Sequence, residues 1–147
     1  MRARRLTTAL LVPGLLGGTA TAAAAHSGPV SAPVRLVVAD ERPTGEATLR
    51  ARPLGQGRWQ VTADVTKLSE HRGCVVLQAD DGPRPGEWGT PRGQVLGMQC
   101  GTANTTTRMV GQTGHRELRL RWLPVGSATT ASQAWVSTDL RTVAAHS

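Results

Sequence analysis

The sequence predicts an all-β protein: a small single-domain β-sandwich, immunoglobulin-like or similar, of seven to eight short strands with one disulfide. Three observations support this fold class. Apolar residues alternate with polar ones at a period of two, no segment offers a long capped run at helical spacing, and glycine and proline interrupt the chain at regular intervals. Short strands separated by such turns are typical of sandwiches and small barrels.

The first 25 residues have the composition of a secretory signal peptide. Residues 1–5 carry three arginines and no acid, residues 6–16 are mostly apolar, and residues 17–25 consist of glycine, alanine and threonine. Small residues at the end of such a segment suit a signal peptidase. We therefore expect a secreted, extracellular protein with no membrane span after processing, because the apolar run is short and is broken by proline and glycine.

One β-domain is expected over residues 34–147, after a flexible leader over residues 26–33 that is small, polar and proline-containing. The clearest alternation lies in residues 58–65 and 117–122, where every second residue is apolar. Glycines in residues 54–57 have the chemistry of a hairpin turn. Weaker strands are predicted at residues 34–39, 46–53, 74–79, 94–100, 106–112 and 134–142.

Cys74 and Cys100 are the only cysteines, and an even count in an exported protein predicts a disulfide between them. In the chain-entropy description, a bridge closing a loop of this length stabilises the fold by roughly 3 to 4 kcal/mol. The bridge would tie together the two strands that flank the longest irregular stretch of the chain, residues 80–93, at the base of that loop.

The 80–93 loop is the first candidate recognition element. Its prolines restrict the backbone before binding, and Trp88 at its middle suits an anchor residue. Arg84 and Arg92 are its basic side chains. A protease inhibitor is the alternative function for this loop, with Arg92 at the bait bond because Arg84 is followed by Pro85. A structural alternative is that Trp88 folds back as a lid over the core.

Arginines form the second candidate site. Side chains alternate between the two faces of a strand, and this alternation directs five arginines away from the core: Arg50, Arg52, Arg58, Arg119 and Arg121. On an outer face, their guanidinium groups suit the anionic groups of a cell-wall polymer. The alternative is a solvated face, because the abundance of alanine, glycine and arginine is typical of a bacterial genome rich in G and C.

Net charge and aromatic content argue against nucleic acid as the partner. Three of the 17 basic residues lie in the predicted signal peptide, which leaves 14 basic and 10 acidic residues and a net charge of +4. Aromatic residues make up 3% of the chain, too few to provide stacking platforms between the charges.

Copper is the third possibility. Cleavage after Ala25 would make His26 the first residue, and its amine and imidazole, with His71 or His115, would suit Cu(II). Such an arrangement resembles the histidine brace of exported copper proteins on β-sandwich folds. The alternative is that His26 is simply a leader residue, with no cofactor bound.

No nucleophile lies in a recognisable catalytic motif, so the sequence predicts a protein that is not an enzyme. The predicted function is a secreted binding module for an extracellular protein or an anionic wall polymer.

Overall fold

Two antiparallel four-stranded sheets pack face to face in the computed structural model, which describes residues 27–80, 93–125 and 134–145. Sheet one has the strand order β1-β2-β3-β6, and sheet two has the order β5-β4-β7-β8. The elements within the described residues are β1 (Val34–Asp40), β2 (Arg42–Gly55), β3 (Arg58–Lys67), β4 (Gly73–Asp80), β5 (Gln94–Gln99), β6 (Thr105–Thr113), β7 (Glu117–Pro124), β8 (Trp135–Asp139) and the short helix α1 (Leu140–Ala144). The small all-β sandwich predicted from the sequence is confirmed.

The core lies between the sheets because each strand presents alternate residues to it. In β2 and β3 the inward side chains, such as Leu49 and Val65, are fully buried, while their chain neighbours face outward. Leu118, Leu120 and Trp122 of β7 close the core from sheet two. The two segments with the clearest alternation in the sequence therefore became central strands, as their pattern predicted.

The β2–β3 hairpin turns where the sequence predicted it. Gly55 and Gly57 have positive φ angles of 82° and 70°, and Gln56 between them has a φ of 54°. Glycine adopts this backbone region without the steric cost of a Cβ. The turn fixes the register in which Arg52 of β2 lies beside Gln60 of β3.

Residues ahead of β1, within the predicted leader, bond to the end of β2. Ser31 is only 1% exposed, and its backbone N–H donates to the carbonyl of Ala51 at 2.8 Å. Its hydroxyl oxygen accepts in turn from the N–H of Ala51 at 3.0 Å. Gly28 donates similarly to the carbonyl of Pro53 at 2.9 Å. Small residues permit this close packing. The composition of the segment does not reveal that it bonds to β2.

The disulfide between Cys74 and Cys100 is present, as predicted. It joins the start of β4 to the residue after β5, next to the register pair Val75 and Gln99. Within sheet two, the bridge therefore clamps the end of the β4–β5 pair that is far from Asp80 and Gln94, and the predicted position at the base of the 80–93 loop is wrong.

The last predicted strand, 134–142, is too long. The strand ends at Asp139, and residues Leu140–Ala144 form α1. The Asp139 carboxylate accepts a hydrogen bond from the N–H of Arg141 at 2.8 Å, which caps the helix. Leu140 and Val143 are buried one turn apart, a helical spacing in a segment too short to show a period. No helix in the described part of the chain is long and apolar enough to cross a membrane.

Candidate functional site

The outer face of sheet one is a continuous, mainly polar surface. Because Ala47, Leu49 and Ala51 point into the core with at most 1% exposure, the residues between them point outward. The register of β1, β2, β3 and β6 aligns the outward residues in rows across the sheet. These outward residues are Arg35, Val37, Glu46, Thr48, Arg50, Arg52, Arg58, Gln60, Thr62, Asp64, Thr66, Thr106, Arg108, Val110 and Gln112.

Acidic side chains occupy one half of this face. Glu46 forms an ion pair with Arg35, and its carboxylate accepts from Arg35 Nε at 3.1 Å. Asp64 of β3 lies opposite Arg108 of β6 in the register. The two arginines in this half therefore have carboxylates beside them, and the half is close to neutral.

The other half is basic. Arg50, Arg52 and Arg58, here called the arginine cluster, have no acidic residue of the described strands directly opposite them; Asp64, two residues along β3 from Thr62, is a diagonal neighbour of Arg50. Thr62 lies opposite Arg50, and Gln60 lies opposite Arg52. Arg50 is exposed and makes no side-chain hydrogen bond or ion pair with any described residue. The cluster thus presents three positive charges, none of which forms an ion pair with a described residue.

Glutamine carboxamides hold two of these guanidinium groups in place. Arg52 Nη2 donates to Gln60 Oε1 at 2.6 Å, and Arg58 Nη2 donates to Gln112 Oε1 at 2.8 Å. Gln94 of β5 donates to the backbone carbonyl of Gln112 at 2.9 Å, which links this row to sheet two. A neutral partner orients a guanidinium without cancelling its charge. In Arg52 the Nε is buried without a hydrogen-bond partner among the described residues, so the remaining Nη donors are the ones that can meet a ligand. Such a group is prepared to bind an anion.

Spacing within the arginine cluster follows from strand geometry. Arg50 and Arg52 are two residues apart on one strand, which places their Cα atoms about 6.6 Å apart, and neighbouring strands are about 4.8 Å apart. The charges therefore spread over an open surface and do not converge on one point. An extended ligand with repeated anionic groups fits this layout better than a single small anion.

Arg119 and Arg121 lie on the outer face of the other sheet, and both are buried, with 8% and 6% exposure. Arg119 approaches Asp80 at 3.8 Å and Glu117 at 3.3 Å. Its guanidinium also lies 4.5 Å from the ring centre of Trp135, a cation–π contact. Arg119 therefore belongs to a buried network of charges and is not open to an anion from solution.

Arg121 is held in the same way. Its Nη1 donates to Gln78 Oε1 at 3.0 Å, in a layer where Gln78 is 1% exposed. Burial and the positive charge of Arg119 lower the pKa of the Arg121 guanidinium, and Asp80 partly opposes this shift. Arg121 is therefore a buried side chain on the outer face of sheet two.

The five arginines predicted to share one face divide between two. Arg50, Arg52 and Arg58 belong to sheet one, whereas Arg119 and Arg121 belong to sheet two. In a sandwich the two outer faces point in opposite directions. Strand phase identifies a residue that points away from the core, but it does not reveal which sheet carries the strand. The structure thus reduces the single predicted patch to the arginine cluster.

Several predicted site residues lie outside the described residues: His26, Arg84, Trp88 and Arg92. The signal peptide over residues 1–25 and most of the 80–93 loop also lie there. The inhibitor and copper hypotheses depend on these residues and remain predictions. The described ends of the loop are Asp80, which closes β4, and Gly93, which precedes β5 with a φ of 117°.

The two histidines that the structure describes, His71 and His115, lie in different turns. No group of three or more histidine, cysteine, aspartate or glutamate residues in those ranges is placed to hold a metal ion. His71 lies in the turn between β3 and β4, where its backbone N–H donates to Ser69 Oγ at 3.1 Å. His115 lies between β6 and β7, and its N–H bonds to Thr113 Oγ1 at 3.0 Å.

Comparison of the chain with models of known protein families, with curated proteins and with solved structures finds no match. The site is therefore assigned from its own geometry. Gln60 and Gln112 were not among the residues predicted to form it. Strand phase already turns Gln60 outward, but the pairing of β3 with β6 that completes the row is not visible in the sequence.

Proposed function

We propose that this protein is a secreted, non-catalytic domain that binds an anionic polymer outside the cell through Arg50, Arg52 and Arg58. The observation that carries the proposal is that Arg52 and Arg58 bond to neutral carboxamides and that no described carboxylate lies directly opposite any of the three arginines. The N-terminal composition and the Cys74–Cys100 bridge support an extracellular location, since disulfides persist in oxidising compartments.

A polymer is favoured over a small anion because the arginine cluster is open and extended. Each guanidinium that meets an anionic group forms a charge-assisted hydrogen bond, and its planar fork suits phosphate and carboxylate alike. A polyanion also releases bound counterions when arginine side chains replace them, which adds favourable entropy at each contact. Three such contacts with one polymer molecule produce useful affinity, whereas a single contact would not.

Nucleic acid fits this face less well than a wall polymer. Proteins that bind single strands combine basic grooves with aromatic side chains on which bases stack. The outward residues of sheet one include no aromatic side chain, and Trp59 of β3 packs against the core. The outer face therefore offers charge and hydrogen bonds but no stacking platform.

The direct test compares two sets of substitutions on the same face. The variant R50Q/R52Q/R58Q removes the arginine cluster, and the control R35Q/R108Q removes the two arginines that lie beside Glu46 and Asp64. Binding is measured by sedimentation with glycerol-phosphate teichoic acid and with poly-γ-glutamate, against neutral dextran. Loss of three charge-assisted contacts should weaken polyanion binding by at least about tenfold in the cluster variant.

The control should bind within about twofold of the wild type, because Glu46 bonds to Arg35 and Asp64 lies opposite Arg108, so that a carboxylate offsets each charge. Equal losses in both variants would show that binding follows total charge and would contradict a site at the arginine cluster. Binding to dextran as strong as to the polyanions would also contradict it.

A further inference from the structure

Sheet two has an open edge along β8. The N–H of Trp122 in β7 bonds to the carbonyl of Ala134 at 2.9 Å, so the even-numbered residues of this segment bond to β7. In an antiparallel pair, the backbone groups of successive residues point to opposite sides of the strand. The N–H groups of Trp135, Ser137 and Asp139 therefore point away from β7, and no described strand pairs with that side.

The three other edge strands of the described sheets are less open than β8. A register shift interrupts the pairing of β1 with β2 and of β5 with β4. In β6, the carbonyls of Thr105 and Gln112 accept hydrogen bonds from glutamine side chains of β5. Bulges and covered edges are means by which proteins prevent further strand pairing. β8 pairs with β7 without a shift, and its only charged residue is Asp139 at its end.

An exposed aromatic side chain and a pocket lie at opposite ends of this edge. Trp135, at the start of β8, is 42% exposed, and its ring also contacts Arg119. At the other end, a pocket of about 340 Å³ is lined by residues of β7 and β8 and by Arg116. Its carboxylates, Glu117 and Asp139, face each other in the register and bond to Arg119 and Arg116. Because both carboxylates are engaged, the pocket suits an uncharged side chain.

We propose that β8 pairs with β8 of a second copy of the chain, in an antiparallel dimer whose two-fold axis passes between the two Ser137 residues. In that register, Ser137 lies opposite its own copy and Trp135 lies opposite Asp139 of the second copy. The residues that meet are those whose backbone groups point outward, so each pair exchanges N–H···O bonds. The contact is isologous, and each Trp135 reaches the pocket of the other copy.

Self-complementarity favours a second copy over an unrelated strand. Trp135 and Asp139 are each two residues from Ser137, in opposite directions, which is the spacing that a two-fold axis at Ser137 requires. The indole N–H can donate to a carboxylate of the pocket, and the guanidinium of Arg116, whose side chain is 59% exposed, can lie against the ring. Tryptophan and arginine are the residues most enriched among those that dominate interface energies.

Both arginine clusters face the same side of this dimer. A two-fold axis between antiparallel strands is perpendicular to the sheet, so sheet two continues from one copy to the next and both copies of sheet one lie on one side of it. If the proposed polymer binding is correct, one dimer holds a polymer at two sites and gains avidity. That consequence rests on the proposed function, whereas the dimer itself does not.

The test is analytical ultracentrifugation of the mature domain without polymer, from about 1 μM to about 1 mM, the range in which weak complexes dissociate. We expect a monomer–dimer equilibrium that depends on concentration. Ser137→Pro removes an outward N–H from each copy and no hydrogen bond to β7, so it should weaken dimerisation at least about tenfold. Ser137→Ala is the matched control, because it keeps the N–H and should dimerise within about twofold of the wild type.

A charge swap at the axis tests the register. Ser137→Lys and Ser137→Asp each place two like charges directly opposite each other, so each variant alone should be monomeric at concentrations where the wild type is a dimer. Mixed in equal amounts, the two variants should form a heterodimer, because opposite charges then meet. This pair keeps the proposal testable if circular dichroism shows that Ser137→Pro lowers the folded population.

Three results would overturn the proposal. A wild type that is monomeric even at about 1 mM would exclude the dimer and leave the edge to a strand of another protein. A dimer that survives both Ser137→Pro and Ser137→Lys would use another surface. Failure of the two charged variants to associate would exclude the register centred on Ser137. The variant R50Q/R52Q/R58Q should dimerise as the wild type does, so failure of the polymer proposal is recognisable separately.

Discussion

The Nη2 atom of Arg58 donates to the carboxamide Oε1 of Gln112 at 2.8 Å, although the two residues are 54 positions apart in the chain. The hydrogen bond spans β3 and β6, and the bond from Arg52 to Gln60 repeats the arrangement between β2 and β3. Both arginines are therefore oriented by neutral groups. If the glutamines were glutamates, the same geometry would hold arginines whose charge was already cancelled.

This contrast gives the first prediction. The variant Q60E/Q112E should keep or slightly raise the melting temperature, because it turns two hydrogen bonds into ion pairs. Polyanion binding should nevertheless fall by at least about tenfold, since two negative charges now compete for the arginine cluster. Thermal melting and teichoic acid sedimentation measure the two effects. Thr66→Glu, in the half of the face that already contains carboxylates, is the control and should reduce binding much less.

Ser31 gives a second prediction, on stability. Its hydroxyl accepts from the buried N–H of Ala51 at 3.0 Å, so Ser31→Ala leaves that N–H without its side-chain partner. The expected cost is about 1 to 3 kcal/mol in urea unfolding. Ser27→Ala, at an exposed position, should change stability by less than about 0.5 kcal/mol. If Ser31→Ala leaves the free energy of unfolding unchanged, the segment ahead of β1 adds little to the stability of the fold.

The disulfide gives a third prediction. Replacing Cys74 and Cys100 together by serine should lower the free energy of unfolding by about 3 kcal/mol, because the unfolded chain regains the entropy of an open loop. Polyanion binding by the folded variant should stay unchanged, since the arginine cluster lies on β2 and β3 of the other sheet. Loss of polyanion binding in a variant that remains folded would show that the bridge supports the site.

Asp139 gives a fourth prediction, on pH. Burial alone raises the pKa of its carboxyl, but hydrogen bonds from the Arg141 N–H and from Arg116 outweigh burial and bring the pKa below its ordinary value of 3.8. The charged carboxylate therefore stabilises the fold above pH 3.8, and this contribution disappears as the pH falls through the lowered, folded-state pKa.

Asp139→Asn isolates that charge, because asparagine also caps helices well. The variant should be less stable than the wild type at neutral pH, and the difference should shrink as the pH falls below 3.8. Urea unfolding across a pH series measures it. Asp64→Asn is the control, since the exposed Asp64 side chain has no hydrogen bond to described residues. A difference that stays constant with pH would contradict a role for the Asp139 charge.

Local patterns in the sequence were sufficient to predict the strands. Alternation around Val61 and Leu120 predicted β3 and β7, and two glycines predicted the turn between β2 and β3. Those patterns reflect burial on one face of a strand and backbone freedom at a turn, which are local properties. Helix α1 was missed because one helical turn, with Leu140 and Val143 buried, is too short for its period to be seen.

Long-range pairing explains what the sequence did not predict at the candidate site. The division of the arginines depends on which strands share a sheet, and the β3–β6 pairing that brings Gln112 to Arg58 joins distant segments. The row formed by Glu117 and Asp139 likewise depends on the β7–β8 register. The face to which a side chain points can be inferred from one strand. To predict a site made of several strands, the order of the strands in the sheets must also be known.

The dependence of polyanion affinity on salt concentration is the most direct test of the arginine cluster as the binding site. If three arginines displace counterions from a flexible polyanion, a plot of log affinity against log salt concentration should have a slope of about −2. The slope should approach zero for the residual binding of R50Q/R52Q/R58Q and should stay near −2 for R35Q/R108Q. Salt-independent binding, or an unchanged slope in the cluster variant, would contradict polymer recognition by Arg50, Arg52 and Arg58.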